Sequence, residues 1–462
     1  MEEKKVVKKG AEDKADNQKR YGLLTAITMI VGIVIGSGIF FKTDDILTYT
    51  DGNVWLGILV FTIAAISIVF GSLTISNLAM MTDKTGGAMA YAEEFVSERF
   101  GCAFGWFQTF VYMPTLTVVL CWVFGIYFCQ LFNIETGLGG QVGLGLVWFV
   151  VCFVYNLLSP KLGGLFQNAS TFIKLIPLAA IAIAGLVLGN PSATLAAPVV
   201  ESTHPLGWVA AIGPVAFSFD GWIFSTTIST EMKNAKRNLP LALVVAPIFV
   251  LVCYLLYFIG VSTYLGPAEV IRLGDGSAGE MANQIFGGFG SKALVTFVVI
   301  SIMGTINGVV MGTIRLPYAL AKRDMLPGSK WVSQFNEKYQ MSITSGIYAF
   351  GVCAVWWVIH YFTMKFGWLG NSDISEISIV MCYVLFVVLY FKVFMFWREG
   401  KVKGIARGII FPILATAGSI FIIYGGLQNP YFFIFVGICA IVFLSGYFYN
   451  NKVVVTPDAK NK

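Results

Sequence analysis

Long apolar stretches alternate with short polar connections along almost the whole chain. A helix of about 20 apolar residues crosses a hydrocarbon core of about 30 Å. By this measure the pattern predicts twelve spans, numbered here in chain order: 22–41, 54–80, 101–132, 141–158, 165–189, 209–231, 241–265, 290–320, 342–362, 374–397, 409–425 and 430–450. The predicted fold class is therefore an all-α polytopic membrane protein.

Two of these spans carry polar and flexible residues in the middle of their apolar runs. Span 1 reads GIVIGSGIFF at 32–41, and span 6 reads AFSFDGWIFS at 216–225. Glycine weakens a helix interior by roughly 1 kcal/mol relative to alanine, so a helix that only crosses a membrane gains nothing from such a cluster. Two interrupted helices of opposite direction, five spans apart, indicate an inverted repeat of the kind found in secondary transporters.

The interruption in span 1 predicts a site for a carboxylate. A broken helix leaves backbone N–H groups without partners, and in hydrocarbon these cost several kcal/mol each unless protein or a polar ligand satisfies them. The helix half that starts at GSG presents its positive dipole end. The amides near Ser37, Gly38 and Ile39 are therefore predicted to bind a carboxylate group.

The carbonyls freed by the same breaks predict a site for an ammonium group. Those of Val34, Phe217 and Asp220 are placed to accept its hydrogen bonds, so the two sites together suit an amino acid. A competing interpretation is that Gly32 and Gly36 form a GxxxG motif that only serves close helix packing. The predicted substrate-binding residues lie in the two breaks: Val34, Gly36, Ser37, Gly38, Ile39, Phe217, Ser218, Asp220 and Gly221.

The distribution of lysine and arginine predicts the orientation. Most of the 31 basic residues fall in segments on one side of the predicted membrane, whereas the other side holds Lys42, Arg272, Lys292 and Lys365. By the positive-inside rule both termini are cytoplasmic, with tails at 1–20 (predicted to be disordered) and 451–462. The formal charge of +6 then reflects this bias and predicts no nucleic-acid partner. We expect the protein in the cell membrane.

Composition agrees with a membrane protein and offers little soluble-enzyme chemistry. The 462 residues are 57% hydrophobic and 12% charged, with a mean hydropathy of +0.76. The two histidines are far apart, and GFGSKA at 288–293 has no preceding strand to make it a nucleotide site. No cofactor, metal site or enzymatic activity is predicted. Because no predicted external loop carries a cysteine, we expect no disulfide-linked partner subunit.

Three ionisable residues inside the spans have competing interpretations. Lys174 lies nine residues into span 5, about 13 Å of helix from its predicted cytoplasmic start, and such a lysine either snorkels or has a role in coupling. Asp220 either caps the second half of span 6 or contacts the substrate amine or a proton. Arg315 either stabilises the inner end of the bundle or forms a gate ion pair, with Glu231 as one candidate partner.

At these residues the sequence resembles a known superfamily. GIVIGSGIF, FDGWIFSTTISTEMKNAKRNLP and TINGVVMGTIRLPYALAKRDMLP resemble the amino acid-polyamine-organocation superfamily, in its L-amino-acid transporter branch and most nearly bacterial serine/threonine exchangers. The resemblance implies a five-plus-five inverted repeat, 21–189 and 207–397, followed by two helices at 409–450. It further implies that Phe219 covers the substrate from outside, and that Lys174 supplies either a built-in cation or a group whose protonation changes during transport. A tyrosine late in span 7 is common in this branch, and Val261 is aligned there.

The predicted function is secondary active transport of small neutral L-amino acids such as serine, threonine and alanine, by alternating access. A sodium-independent antiporter is the first expectation. A proton-coupled symporter, a polyamine or amine antiporter and an amino-acid sensor are the alternatives. The lipid bilayer and a small-molecule amino acid are the partners that this function requires.

Overall fold

The regular secondary structure of the protein is helical. The computed structural model describes residues 21–36, 38–41, 43–82, 84, 86–196, 207–211, 215, 218–369, 373–427 and 431–455. Within these ranges ten helices are long and apolar enough to cross a membrane: Val54–Met81, Glu98–Phe132, Leu138–Leu158, Pro160–Leu188, Ala235–Leu265, Gly290–Ala321, Ile343–Lys365, Ser378–Arg398, Ala406–Gly426 and Phe432–Asn450. They correspond to spans 2–5 and 7–12, and we keep the span numbers for them.

Span 1 is interrupted and span 6 is described only in part, so the count of twelve full crossings is not confirmed. Span 1 consists of the α-helix Leu23–Val34 and the 3₁₀ helix Gly38–Phe41. The described parts of span 6 are residues 209–211 at the end of the 3₁₀ helix Gly207–Ala211, residues 215 and 218–221, and the 3₁₀ helix Trp222–Glu231. In span 1 the predicted interruption is the physical reason, because it divides the span into pieces too short to cross a membrane alone.

Short helices connect the spans. These are Thr43–Tyr49, Ala88–Phe95, Pro191–Ala196, Gly207–Ala211, Pro267–Leu273, Ser277–Phe286 and Ser329–Val332. The division of the chain into 21–189, 207–397 and 409–450 stays a prediction.

Close backbone packing holds span 1 between spans 5, 6 and 8. A Cβ atom added at Gly32 would lie 2.3 Å from the Thr171 hydroxyl oxygen in span 5, and one added at Gly308 would lie 2.4 Å from Ile33. Gly221 has a φ of +98°, and its added Cβ would lie 2.3 Å from Ile33. Gly32 therefore serves helix packing, as the competing interpretation of the GxxxG motif expected.

The outer surface suits a lipid environment. Large apolar side chains such as Phe433, Val187 and Ile441 are 78%, 73% and 67% exposed, whereas the aromatic rings of Phe61, Trp222 and Tyr254 are buried among the spans. A protein in water rarely exposes so much contiguous apolar surface. The membrane is therefore the solvent that these faces require.

Candidate functional site

The interruption of span 1 has the geometry that the sequence predicts. The α-helix ends at Val34, and a tight turn follows in which the Gly36 amide donates to the Val34 carbonyl over 2.9 Å. A 3₁₀ helix then begins at Gly38, with Ile39 buried in its first turn. Ser37 lies outside the described residues, so its predicted contact with a carboxylate stays a prediction.

The interruption of span 6 centres on Gly221. Its positive φ is the conformation that glycine adopts without strain, and the Phe224 amide donates back to the Gly221 carbonyl over 3.1 Å. The chain then continues as the 3₁₀ helix from Trp222. Phe217, the predicted carbonyl acceptor, lies outside the described residues.

The two interruptions meet around one small cavity. Its volume is about 30 Å³, room for about two water molecules by the usual requirement per water. Span 3 supplies an apolar wall, and spans 1, 6 and 8 supply the polar groups. The lining residues are Ile33, Val34, Gly36, Gly38, Leu116, Leu120, Ser218, Asp220 and Thr305. Because an amino acid needs more space, this conformation is closed around the cavity.

Asp220 points its carboxylate at span 3. The Tyr112 hydroxyl donates to Asp220 Oδ2 over 2.7 Å, and both side chains are buried. The carboxylate also accepts from the Gly221 amide. An N-cap would accept from the second or third amide of the following helix, and no such bond is found in the described part of span 6. This geometry favours a role at the cavity over a capping role.

Tyr254 in span 7 joins the two interrupted spans, and sequence reasoning missed it. Its hydroxyl lies 2.8 Å from the Val34 carbonyl oxygen and 2.8 Å from that of Ser218. Val261, the position aligned with a tyrosine of related exchangers, is a buried apolar residue. The available signal was the sequence YLLYFIG at 254–260. Its first tyrosine, Tyr254, lies two helical turns before Val261 and so on the same side of the helix.

Lys174 donates hydrogen bonds to backbone carbonyls that the break in span 1 leaves without partners in the helix. Its ammonium donates to the Gly32 and Ile35 carbonyls over 2.7 Å each and contacts Thr305 Oγ1 at 3.2 Å. The side chain is completely buried, so the snorkelling interpretation does not describe this conformation. The Lys174 amino group therefore lies between spans 1, 5 and 8, at the end of the interrupted helix, and its role as a built-in cation stays a prediction.

Arg315 forms the ion pair with Glu231 that the sequence offered as one alternative. The Nε and Nη2 atoms donate to the two carboxylate oxygens over 2.6 and 3.1 Å. Nη2 also donates to the Tyr21 hydroxyl over 3.1 Å, and that hydroxyl donates to the Pro160 carbonyl over 3.0 Å. The start of span 1 is thus joined to the ends of spans 6 and 8 and to the start of span 5.

Phe219 does not line the cavity in this conformation. Its ring lies 4.9 Å from that of Tyr254 and 6.3 Å from that of Phe61, measured between centroids. The residue thereby belongs to an aromatic cluster between spans 2, 6 and 7. Its predicted role in covering the substrate stays a prediction.

Metal-binding chemistry finds little support in the described part of the chain. No group of three or more His, Cys, Asp or Glu side chains there is arranged to hold a metal ion. All eight cysteines have free thiols, and Cys253 is half-buried while the others are buried.

Comparison with known proteins identifies the family of this arrangement. The amino acid permease family profile matches residues 21–452. The chain belongs to the amino acid permease family. This permease is 31% identical to the serine/threonine exchanger SteT of Bacillus subtilis (strain 168), over 88% of its own length and 90% of that protein's.

More distant relatives of the permease are animal transporters. It is 26% identical to the b(0,+)-type amino acid transporter 1 of Mus musculus, over 88% of this chain and 82% of that protein. It is 28% identical to the Asc-type amino acid transporter 1 of Homo sapiens, over 69% of this chain and 62% of that protein. The superfamily resemblance carried by the three motifs is thereby confirmed.

Proposed function

We propose that this permease exchanges small neutral L-amino acids across the cell membrane by alternating access. The observation that carries the proposal is the convergence of both interrupted spans on one cavity lined by Gly36, Gly38, Ser218 and Asp220. Backbone groups of both polarities meet there, which suits the α-amino and α-carboxyl groups shared by all amino acids. The names of the relatives, exchangers and transporters of amino acids, support the same class.

The α-carboxylate binds at the Ser37–Ile39 end of the cavity in this proposal. The 3₁₀ helix that starts at Gly38 directs its first amides toward the break. A Cβ atom at Gly38 would lie 3.1 Å from the Ser218 hydroxyl oxygen. A side chain at this position would therefore narrow the space for a ligand between the two interrupted spans.

The α-ammonium group binds the carbonyls at the opposite end. Two of these, of Val34 and Ser218, share the single proton of the Tyr254 hydroxyl in the closed conformation. A substrate ammonium would replace that donor and supply more hydrogen bonds to the same oxygens. Substrate binding would then exchange one set of partners for another, with no backbone group left unsatisfied.

The walls of the cavity favour a short, uncharged side chain. Leu116 and Leu120 form an apolar surface, while Ser218 and Thr305 offer hydroxyl groups. The side chains of serine, threonine and alanine are small and uncharged, so they can lie against both the apolar wall and the hydroxyl groups. Phe219 stays the proposed cover on the outside.

Movement between two open conformations requires contacts that separate reversibly. On the proposed cytoplasmic side, the ion pair between Arg315 and Glu231 joins spans 6 and 8. Lys174 in turn joins span 5 to the end of the broken helix. We assign a gating role to the ion pair between Arg315 and Glu231. We assign Lys174 a role in coupling the state of the site to span 5. In this proposal both termini face the cytoplasm. A disulfide-linked partner subunit has no place in this proposal.

Counterflow in liposomes tests the proposal. The purified permease is reconstituted into liposomes that contain unlabelled serine, alanine, leucine, glutamate, arginine or no amino acid, and uptake of radiolabelled serine is followed without sodium. Uptake that requires a neutral amino acid inside supports exchange. Uptake into empty liposomes that rises with an inward proton gradient would replace exchange with proton-coupled symport.

The buried carboxylate of Asp220 favours a second candidate, exchange of cationic amino acids or amines. An anion that lines the cavity would attract a positively charged side chain. In the same assay, arginine inside the liposomes should then drive uptake better than alanine does. Asp220→Asn keeps the shape and the acceptor for Tyr112, so a tenfold or larger loss of arginine-driven uptake with unchanged alanine-driven uptake would support this candidate.

A further inference from the structure

Span 3 contains a π turn directly beside the proposed substrate site. Residues Gln108–Tyr112 form it, and the Met113 amide donates to the Gln108 carbonyl, five residues earlier. Each residue of an α-helix turns by about 100°, so the extra residue in this turn rotates the following part of span 3 by about that angle. The side chain at the end of the turn is Tyr112, which donates to Asp220 over 2.7 Å.

Proline is the local cause of the irregular turn. Pro114 has no N–H group, so it offers no hydrogen bond to the Phe110 carbonyl, four residues earlier. Its ring would also clash with that carbonyl in a regular α-helix. An opened turn removes the clash but leaves the Phe110 oxygen in need of a donor inside the membrane.

Span 9 supplies that donor. The Trp356 indole Nε1 donates to the Phe110 carbonyl over 2.6 Å. Other carbonyls near the turn find donors within span 3, as the Val111 carbonyl does from the Thr115 hydroxyl at 2.7 Å. The Trp356 bond differs because it crosses from one span to another.

We propose that Trp356 is a positioning residue for the substrate site, and that its indole N–H fixes the π turn so that Tyr112 meets Asp220. The inference rests on the proposed function, because it assigns the Asp220 carboxylate to the cavity that binds the amino acid. Trp356 lies on a span that does not line the cavity, and it acts through Tyr112.

The adjacent residue provides a matched control. Trp357 is also a tryptophan of span 9 and is 6% exposed, but its indole N–H has no hydrogen-bond partner in the described part of the chain. Trp356→Phe and Trp357→Phe thus remove the same atoms from neighbouring positions. Only the first removes a hydrogen bond to span 3.

Hydrogen–deuterium exchange of the purified protein tests the structural part without transport. Trp356→Phe should speed exchange several-fold in residues 106–118 of span 3 and in residues 218–225 of span 6, whereas Trp357→Phe leaves both segments unchanged. Equal exchange in the two variants, or no change with Trp356→Phe, would overturn the inference whether or not the permease transports serine.

Kinetics of serine counterflow test the functional part. Trp356→Phe should raise the KM for serine about fivefold, the ratio that corresponds to one hydrogen bond of about 1 kcal/mol, and Trp357→Phe should change it less than twofold. In a Tyr112→Phe background, Trp356→Phe should add nothing further, because the residue through which it acts is already altered. Fully additive effects would contradict the proposed route. If the wild-type protein shows no serine counterflow, the proposed function is wrong. The hydrogen–deuterium exchange measurements would still test whether Trp356 positions the π turn.

Discussion

At the scale of single residues, the closed site satisfies its own backbone. The carbonyls of Gly32 and Ile35 in span 1 accept from Lys174. The Val34 and Ser218 carbonyls share the single proton of the Tyr254 hydroxyl. In a membrane interior an unsatisfied carbonyl costs several kcal/mol. The side chains that fill these positions therefore belong to the energetics of closure as well as to any substrate contact.

Replacing Lys174 by methionine should nearly abolish exchange. Methionine has a similar length but donates no hydrogen bond, so the Gly32 and Ile35 carbonyls keep only the Thr305 and Ser301 hydroxyls, at 3.0 and 3.4 Å, and we expect a cost of about 1–3 kcal/mol in all. We expect at least a tenfold lower counterflow rate and a lower unfolding temperature. Lys161→Met, at an exposed position near the start of the same helix, is the control and should keep both near wild type. Wild-type transport by Lys174→Met would contradict this role.

Valine at Gly38 should block the space between the interrupted spans. Its Cβ would lie 3.1 Å from the Ser218 hydroxyl oxygen, before its methyl groups are counted. Serine uptake by folded protein should fall at least tenfold, as measured by counterflow and size-exclusion chromatography. Gly143→Val in span 4, where an added Cβ has no neighbour within 4 Å, should leave uptake close to that of the wild type. Unchanged uptake with Gly38→Val would remove this glycine from the site.

At the scale of elements, hydrogen bonds hold the part of span 1 before the break against its neighbours. Before the break, span 1 is joined to span 5 by hydrogen bonds, including that from Thr171 to the Thr28 carbonyl at 3.0 Å. Near its start, the Tyr21 amide donates to the Glu231 carbonyl over 3.1 Å. The half of span 1 that precedes the break is therefore held by polar contacts that water could replace when the spans separate.

Glu231→Gln should weaken the closure of that half. It leaves Arg315, which is 9% exposed, without its anionic partner. Because the Glu231 side chain is 27% exposed, we expect a cost between that of an exposed pair and that of a fully buried one, about 3–5 kcal/mol. We expect a lower unfolding temperature and an altered KM for serine on the cytoplasmic side only. The control is Glu269→Gln, which removes an exposed pair with Arg272 and should cost less than about 1 kcal/mol. Equal effects of the two variants would refute the gating assignment.

At the scale of the whole molecule, the distribution of lysine and arginine predicts which side of the membrane each loop faces. Helix packing alone does not establish this orientation. With both termini cytoplasmic, a cysteine introduced near residue 460 should react with an impermeant maleimide only after right-side-out vesicles are opened. Lys365→Cys, predicted on the external side, should react in intact vesicles. The native cysteines supply the background in the unmodified protein. Labelling of residue 460 in intact vesicles would reverse the proposed orientation.

Much of the site could be read from the sequence, because broken helices leave a local signal. Glycine and polar residues inside an apolar run mark the breaks at GSG and FDG, and their backbone polarity follows from helix geometry. Lys174 was identifiable because a charge so deep in a span is rare. Tyr254 was not, since a tyrosine in an apolar helix has the same appearance whether it faces lipid, core or a carbonyl.

The sequence by itself determined the membrane environment, the two interruptions and the family, because hydropathy, helix-breaking residues and ordered motifs are properties of the chain read in one dimension. Tertiary structure alone showed that Gly32 packs closely against span 5 and that Arg315 pairs with Glu231, and it brought Tyr112, Tyr254 and Trp356 to their partners. Those contacts join residues more than 35 positions apart, so they depend on how the helices pack and on how a π turn rotates one of them.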